Sequence, residues 1–271
     1  MSHAFTLLEE LYEAERVEGT LADGDFAAYT CRSPDRPTEN EDTVGWMSVD
    51  NNRGVLVVAD GAGGMPAGAF ASKLAVKTLF ETIAESGLES LLDAAIAGIG
   101  RANLAVIDEF GGSATTMTVL LVDGASIRAL QVGDSEALLM GLRGKLKFHT
   151  IPQSPTGYAI EYGYLDEDTA LFHPERHLVS NFVGTIDMRI EIGPELTMSP
   201  YDTLVVASDG LTDNLFRAEI IELARKGPLK EAREALVSLT QERMLMPSLG
   251  TPSKSDDLSL IVFRRERPKK R

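Results

Sequence analysis

Three apolar stretches of this chain end in an aspartate at the same relative place. They read VLVVADG, LQVGDS and LVVASDG, and the acids are Asp60, Asp134 and Asp209. Short apolar runs rich in valine and leucine, each closed by a turn residue, predict buried strands. A carboxylate directly after a buried strand is held by the core yet faces solvent, so a fold that gathers these strand ends gathers acids at one edge.

Further acids favour a cluster over isolated turns, although any single Asp-Gly pair is a common turn sequence. They stand beside other predicted strands or one helical turn after Asp209, and they are Glu41, Asp42, Asp213, Asp256 and Asp257. Clustered carboxylates raise one another's pKa unless cations compensate their charge. The sequence therefore predicts a site for divalent cations.

The ligand types favour Mg²⁺ or Mn²⁺ over zinc, because hard cations prefer oxygen ligands. The only cysteine is Cys31, and the four histidines show no zinc-binding spacing: His3, His149, His173 and His177. A single cysteine also excludes an intrachain disulfide and fits a cytoplasmic protein.

Composition excludes several function classes. The net charge is −15 over 271 residues, which argues against binding to nucleic acid or to anionic lipid. No apolar run is long enough to span a membrane, and no Pro/Ser/Gly-rich linker divides the chain. We therefore expect one domain over residues 1–271, acting as a monomer.

Hydrophobic periodicity predicts an α+β fold in which strands alternate with blocks of helix. We expect a short amphipathic helix at 4–18, an antiparallel meander at 115–148, an irregular lid at 150–182 and a solvated basic tail at 264–271. Further strands are expected at 26–30, 54–59, 188–192, 203–207 and 258–263, and helices at 67–85, 88–110, 217–224 and 229–243.

Five motifs occur in order along most of the chain: RPTENED, VVADGAGGMPAGAFAS, SATTMTVLLV with QVGDSEALL, LVVASDGLTDNL and SDDLSLIVF. Together they resemble the bacterial type 2C family of metal-dependent serine/threonine protein phosphatases. The resemblance implies a four-layer α-β-β-α sandwich, with two antiparallel sheets flanked by helices and a dinuclear Mn²⁺ or Mg²⁺ site at one end. It also implies a role in phosphorylation-based signalling.

The resemblance implies a role for each matching residue. Asp60 would bridge two metal ions, the Gly61 carbonyl would bind one of them, and Asp209 and Asp256 would bind the other. Glu41 and Asp42 would hold metals directly or through water. A weaker third-metal site would be formed by Asp134, Asp209 and Asp213. Phosphoserine and phosphothreonine on proteins would be hydrolysed by a hydroxide that the two ions share, without a covalent intermediate.

The sequence departs from the family at several positions. The phosphate-binding arginine usual five residues before Asp42 is here Pro37, so Arg36 is the candidate, with Arg32 as a substitute. Asp257 replaces a common asparagine, and Glu136 replaces a usual arginine. Ala62 stands where eukaryotic relatives have a histidine that protonates the leaving group, so this role passes to water or to a third metal.

Three alternative functions stay open. A pseudophosphatase would bind phosphorylated partners without turnover, and a phosphatase of small molecules would select its substrate through the lid. The lid aromatics either contact substrate or pack the lid onto the body, and they are Tyr158, Tyr162, Tyr164 and Phe172. A serine hydrolase built on Ser135 or Ser208 is disfavoured, because neither lies in a nucleophile elbow. The glycine-rich run 63–68 predicts a strand-to-helix loop and lacks the Lys-Ser/Thr of a nucleotide-binding loop.

Overall fold

The computed structural model describes residues 4–62, 68–87, 90–109 and 112–265. Its strands are β1 (Phe5–Leu8), β2 (Glu15–Leu21), β3 (Gly24–Cys31), β4 (Asp42–Ser48), β5 (Arg53–Asp60), β6 (Met117–Asp123), β7 (Ser126–Val132), β8 (Glu136–Met140), β9 (Leu146–His149), β10 (Glu191–Ile192), β11 (Leu196–Thr197), β12 (Thr203–Ala207) and β13 (Leu258–Arg265). Its helices are α1 (Gly68–Glu85), α2 (Leu91–Glu109), α3 (Pro155–Glu161), α4 (Glu167–Ala170), α5 (Asp209–Thr212), α6 (Arg217–Ala224) and α7 (Leu229–Leu245).

The strands form two antiparallel sheets. Sheet A has the order β1-β4-β5-β6-β7-β10, with β11 also paired to β7, and sheet B has the order β2-β3-β13-β12-β8-β9. The long central strands are apolar on both faces because both faces are covered. In β5, Val55 and Val57 point towards α1 and α2, whereas Leu56 and Val58 point towards sheet B.

Three apolar clusters separate four layers. The first lies between sheet A and the helices α1 and α2, the second lies between the two sheets, and the third lies between sheet B and the helices α5, α6 and α7. This arrangement confirms the α-β-β-α sandwich that the resemblance implies. None of the helices in the described ranges has the length and apolar character needed to cross a membrane.

The expectation of a helix at 4–18 is wrong, because this segment forms β1 and β2. β1 pairs with β4 at the edge of sheet A, with Phe5 opposite Met47, and β2 pairs with β3 at the edge of sheet B. Phe5 also packs its ring 5.3 Å from that of Phe80 on α1. Edge strands are half exposed, and their apolar residues at every third or fourth position imitate an amphipathic helix.

The predicted meander at 115–148 is two hairpins in different sheets. β6 and β7 pair in sheet A, whereas β8 and β9 pair in sheet B. The chain crosses between the sheets at 133–135, where Gly133 takes a φ of 98°. Both runs are apolar enough to be strands, but the sequence does not show that a sheet change separates them. The crossing places Asp134 in the connection between the two sheets, after β7 and before β8.

The remaining differences lie in the lid and at the chain end. The segment 150–182, the lid segment below, is not wholly irregular, because it contains α3 and α4. Ser154 caps α3 by accepting a hydrogen bond from the Gly157 amide. The basic tail begins later than expected, since Arg264 and Arg265 belong to β13, and only 191–192 of the predicted strand 188–192 is a strand. The loop expected at 63–68 lies outside the described residues except for Gly68, which begins α1.

Candidate metal centre

The register of sheet A brings Asp42 and Asp60 together. They are opposite each other at the end of the antiparallel pair β4 and β5. The Ser208 hydroxyl donates a 2.9 Å hydrogen bond to Oδ2 of Asp42. Within the described part of the chain, the other oxygen of this buried carboxylate, Oδ1, has no hydrogen-bond partner. An ionised oxygen buried without a partner is costly, so this atom is suited to a cation.

Gly61 follows Asp60 at a point where no side chain fits. Its amide donates a 3.2 Å hydrogen bond to the Glu41 carbonyl. A Cβ at this position would lie 2.7 Å from that carbonyl oxygen and would collide with the Gly68 carbonyl. The glycine therefore allows the strand end to pass directly against the loop that carries Glu41. We call Glu41, Asp42 and Asp60 the β5 end of the acid cluster.

Asp209 and Asp213 lie on one short helical turn. Asp209 is the first residue of α5, directly after the buried strand β12, and the Asp213 amide donates a 2.8 Å hydrogen bond to the Asp209 carbonyl. Oδ1 of Asp209 is buried and has no hydrogen-bond partner among the described residues. Asp256 precedes β13, the neighbour of β12, so sheet B supplies this second set of acids. We call Asp209, Asp213 and Asp256 the Lys254 end.

Lys254 lies among these three carboxylates. Its Nζ is 2.9 Å from an oxygen of Asp213 and 3.1 Å from an oxygen of Asp256, and it also pairs with Asp209. Burial lowers the pKa of this ammonium, but the three carboxylates outweigh burial and raise the pKa well above its usual value. Lys254 was not expected at the site, because a lysine two residues before an aspartate is ordinarily a solvent-exposed charge.

Asp257 joins the two ends of the cluster. Its carboxylate accepts hydrogen bonds of 2.6 Å from the backbone amides of Ser33 and Glu41. The loop before β4 is thereby fixed to the residue before β13. A carboxylate can accept both bonds, whereas a side-chain amide offers only one accepting oxygen. The departure from asparagine at this position thus has a visible structural consequence.

Burial and mutual repulsion raise the pKa values of the acids. The pKa values of Asp42 and Asp60 are well above normal, because of burial first and of neighbouring carboxylates second. Burial and the charge of Asp209 act in the same direction on Asp134. Burial and Asp209 also raise the pKa of Asp213 to about 6. The metal-free cluster is therefore electrostatically unfavourable, and a cation would relieve it.

One open cavity of about 630 Å³ is bordered by six of the acids: Glu41, Asp60, Asp134, Asp209, Asp256 and Asp257. Arg36 also lines it, with Nη1 3.7 Å from an oxygen of Asp256 and the side chain 46% exposed. The alternative candidate Arg32 instead lies over the ring of Tyr12, 5.8 Å from its centroid. His177 of the lid segment and Ala62 stand in the same cavity wall. No spacing in the sequence connects His177 with the acids.

A second, smaller cavity of about 90 Å³ lies beside the first and shares Asp134 and Asp209 with it. Arg217 lies in its wall and pairs with Glu136 at 3.3 Å and with Glu167 of the lid segment at 2.7 Å. Burial raises the pKa of Glu136 to about 7, although Arg217 opposes the shift. Glu136 therefore helps to hold the lid segment on the body.

The lid aromatics are divided between packing and exposure. Phe172 contacts Phe216 of the body, with ring centroids 6.4 Å apart. Tyr162 and Tyr164 are 73% and 86% exposed, and their rings pair with each other at 6.5 Å. Of the four lid aromatics, these two tyrosines are the most exposed, and Phe172 is 50% exposed despite its contact with Phe216.

The donor set fits hard divalent cations, because it consists of carboxylates with buried oxygens at both ends that lack partners. The acids are not arranged as a preformed cage, however. Over the described ranges, no three His, Cys, Asp or Glu side chains have the mutual spacing of a metal site.

The two serines considered as nucleophiles are fully buried. The hydroxyl of Ser135 shares a 2.7 Å hydrogen bond with that of Thr116, and the hydroxyl of Ser208 is bonded to Asp42. Neither hydroxyl can reach a substrate, which excludes the serine-hydrolase alternative.

The chain is similar in sequence to known protein phosphatases. The profile of the family described as protein phosphatase 2C matches residues 35–249. The protein phosphatase PhpP of Streptococcus pneumoniae is 28% identical over 215 residues, which cover 74% of this chain and 85% of that protein.

Solved structures share the fold. The serine/threonine phosphatase MsPP of Mycobacterium smegmatis, in complex with cacodylate, is 26% identical, with a TM-score of 0.72 over 88% of this chain and 97% of that one. The catalytic domain of the protein phosphatase PstP, in complex with two manganese ions, is 22% identical, with a TM-score of 0.72 over 89% of this chain and 98% of that one. At 22% identity the second likeness shows the fold alone.

Proposed function

Because the chain belongs to the protein phosphatase 2C family, as the resemblance implied, we propose that it hydrolyses phosphoserine and phosphothreonine on proteins with two divalent cations, Mn²⁺ or Mg²⁺. The observation that carries the proposal is that Asp60, which is paired with the buried Asp42 across β4 and β5, lines the same open cavity as Asp209 and Asp256. Carboxylates of two sheets are thereby available to the same pair of ions.

Some residues of the chain would bind the metal ions, and others hold these ligands in place. Asp60 would contact both ions, with the Gly61 carbonyl, Glu41 and Asp42 at one side and Asp209 and Asp256 at the other. Bound divalent ions supply Lewis acidity, which lowers the pKa of water and neutralises charge on the phosphate. Ser208 holds the Asp42 carboxylate in place. Asp257 fixes the backbone of the loop that carries Glu41 by accepting a hydrogen bond from the Glu41 amide.

Arg36 is the group we propose to bind the phosphate. It lies at the cavity wall, is half exposed and, within the described ranges, makes a single ion pair, 3.7 Å from Asp256. A guanidinium can bind two phosphate oxygens at once and so orient the phosphorus for attack. Asp134 lies between the ends of the cluster and, with Asp209 and Asp213, would form the third cation site.

Composition is the basis for our proposal on the location and oligomeric state of the protein. We propose a cytoplasmic monomer that acts on phosphorylated proteins and binds neither nucleic acid nor membrane, on the basis of its net charge of −15 and its single cysteine.

A pseudophosphatase is the second candidate, and Lys254 is the observation that favours it. An ammonium already among three carboxylates does part of what a metal ion would do there. The test is phosphate release from a phosphothreonine peptide and from p-nitrophenyl phosphate, with Mn²⁺ and with chelator. Mn²⁺-dependent release from both supports the phosphatase, whereas peptide binding without release supports the pseudophosphatase. Release from p-nitrophenyl phosphate alone would favour a phosphatase of small molecules.

A further inference from the structure

Lys254 has the geometry of a cation bound in a site. An ammonium has three donating hydrogens, and Nζ of Lys254 has three carboxylate neighbours, Asp209, Asp213 and Asp256. The side chain is 18% exposed, and its three partners are between 12% and 20% exposed. A surface lysine that merely rests beside an acid has neither this burial nor three partners.

The backbone of Lys254 is fixed while its side chain is attached by a flexible stem. The Lys254 amide donates a 2.8 Å hydrogen bond to Oδ1 of Asn214, and the Lys254 carbonyl accepts a 2.9 Å bond from Nδ2 of the same residue. Asn214 is fully buried. The neighbouring Ser253 carbonyl accepts a 2.6 Å bond from Arg176 of the lid segment. The loop therefore stays in place when the four-carbon side chain rotates towards the cavity.

We propose that the Lys254 ammonium and a divalent cation compete for the carboxylates of Asp209, Asp213 and Asp256. The inference rests on the proposed function, which assigns these acids to metal ions. A divalent ion binds carboxylate oxygens at about 2.0–2.6 Å, so it would occupy nearly the space of an ammonium about 3 Å from the same oxygens. Repulsion between the two positive charges adds to this overlap. Lys254 must rotate away before the ion binds.

Among the residues that the structure describes, no ammonium lies among the carboxylates of the β5 end. In the described ranges no ion pair reaches Asp42 or Asp60, and Oδ1 of Asp42 lacks a hydrogen-bond partner. The two ends should therefore fill in sequence, with the first ion at the β5 end and the second at the Lys254 end only at higher concentration. Occupancy of the second position would then follow the metal concentration around the protein.

The first test is a Mn²⁺ titration in which the free ion is counted by electron paramagnetic resonance. Lys254→Met keeps the length of the side chain and removes its charge. We expect two phases in the wild type and a second phase tightened by about tenfold or more in the variant. Lys147→Met is the matched control, because Lys147 is a half-buried partner of Asp202 that lines neither cavity. Its titration should equal the wild type.

Two other outcomes separate the hypotheses. Equal Mn²⁺ curves for Lys254→Met and wild type overturn the competition and leave the proposed metal centre intact. Failure of both proteins to bind Mn²⁺ overturns the metal centre and the competition with it.

A second measurement uses the wild type and needs no variant to fold. Lysine amines are acetylated with an N-hydroxysuccinimide ester, and the extent at each lysine is read by mass spectrometry. Lys254 should be protected in chelator and become about as reactive as exposed Lys226 at saturating Mn²⁺, because the displaced amine reaches solvent. Unchanged protection of Lys254 on addition of Mn²⁺ overturns the proposal.

Discussion

The β5 end and the Lys254 end of the acid cluster solve one electrostatic problem differently. At the β5 end, Asp42 and Asp60 are buried, repel each other and have strongly raised pKa values without an opposing ion pair. At the Lys254 end, three acids surround an ammonium that the chain itself supplies. Like charges can thus be brought together in a fold either by leaving a place for an external cation or by providing an internal one.

The largest expected effect is the loss of turnover when either end is altered. Asp60→Asn and Asp256→Asn should each lower phosphate release at limiting Mn²⁺ by more than about 100-fold, because each removes a charged ligand. Circular dichroism should show an intact fold. Asp123→Asn, at the exposed end of β6, is the control and should behave as wild type. Near-normal turnover in either site variant would remove that acid from the metal centre.

Arg36→Ala tests the guanidinium group that lies beside Asp256 at the rim of the Lys254 end. We expect KM for a phosphothreonine peptide to rise by about tenfold with a smaller change in kcat, because the arginine binds phosphate and ligates no metal. The control is Arg32→Ala, which should change KM little because Arg32 lies over Tyr12. The reverse order of effects would assign the phosphate to Arg32.

Asp134→Ala tests the acid that lies between the two ends. With Ala62 unable to donate a proton, a weak third cation near Asp134 would supply one through its water, and an alkoxide needs this more than a phenolate. Turnover of a phosphothreonine peptide should fall several-fold more than turnover of p-nitrophenyl phosphate at saturating Mn²⁺, with two tight ions retained. Equal losses on both substrates, with unchanged metal content, would contradict this role.

The smallest expected effect is on the pH dependence of stability. The folded-state pKa values of Asp60 and Asp213 lie above their unfolded values, that of Asp213 at about 6. Their contribution to stability is therefore fully present below about pH 4 and is lost as pH rises through the folded pKa. In chelator, the thermal midpoint should fall as the pH rises from about 4 through the Asp213 pKa of about 6, and in Mn²⁺ it should fall less, because metal ligands bind deprotonated.

Asp60→Asn sharpens the pH comparison. Removing the carboxylate should flatten the pH dependence measured in chelator, whereas Asp123→Asn should leave it unchanged. Identical slopes in the wild type and Asp60→Asn would show that the β5 end is not the source of the pH dependence.

The sequence predicted the central strands and the acids that follow them, because a strand covered on both faces has an unmistakable apolar run. β5 and β12 are such strands. Edge strands carry a weaker pattern, so β1 and β2 were mistaken for a helix. β4 was not predicted, because Gly45 and the polar residues before it interrupt the apolar pattern of a strand. The pairing of this segment with β1 and β5 shows that it is one.

The sequence predicted which acids belong to the candidate site, but it did not predict how they are arranged in space. Motif order predicted Asp42, Asp60, Asp209 and Asp256, but only the folded chain shows that Asp42 is opposite Asp60. Lys254 and His177 were missed for the same reason. Their positions depend on loops packed by Asn214 and Arg176, and such long-range contacts leave no periodic pattern in the sequence.

The place of β13 in sheet B has a consequence for synthesis of the protein. This strand comes last among the described strands, yet it lies between β3 and β12 and pairs residue 258 with residue 31. Until the ribosome has released it, β3 and β12 have open edges, and Asp256 and Asp257 cannot reach the loop with Glu41. A chain interrupted before this strand would therefore lack both a continuous sheet B and a complete candidate metal centre. We expect nascent chains to be inactive until this region has been translated.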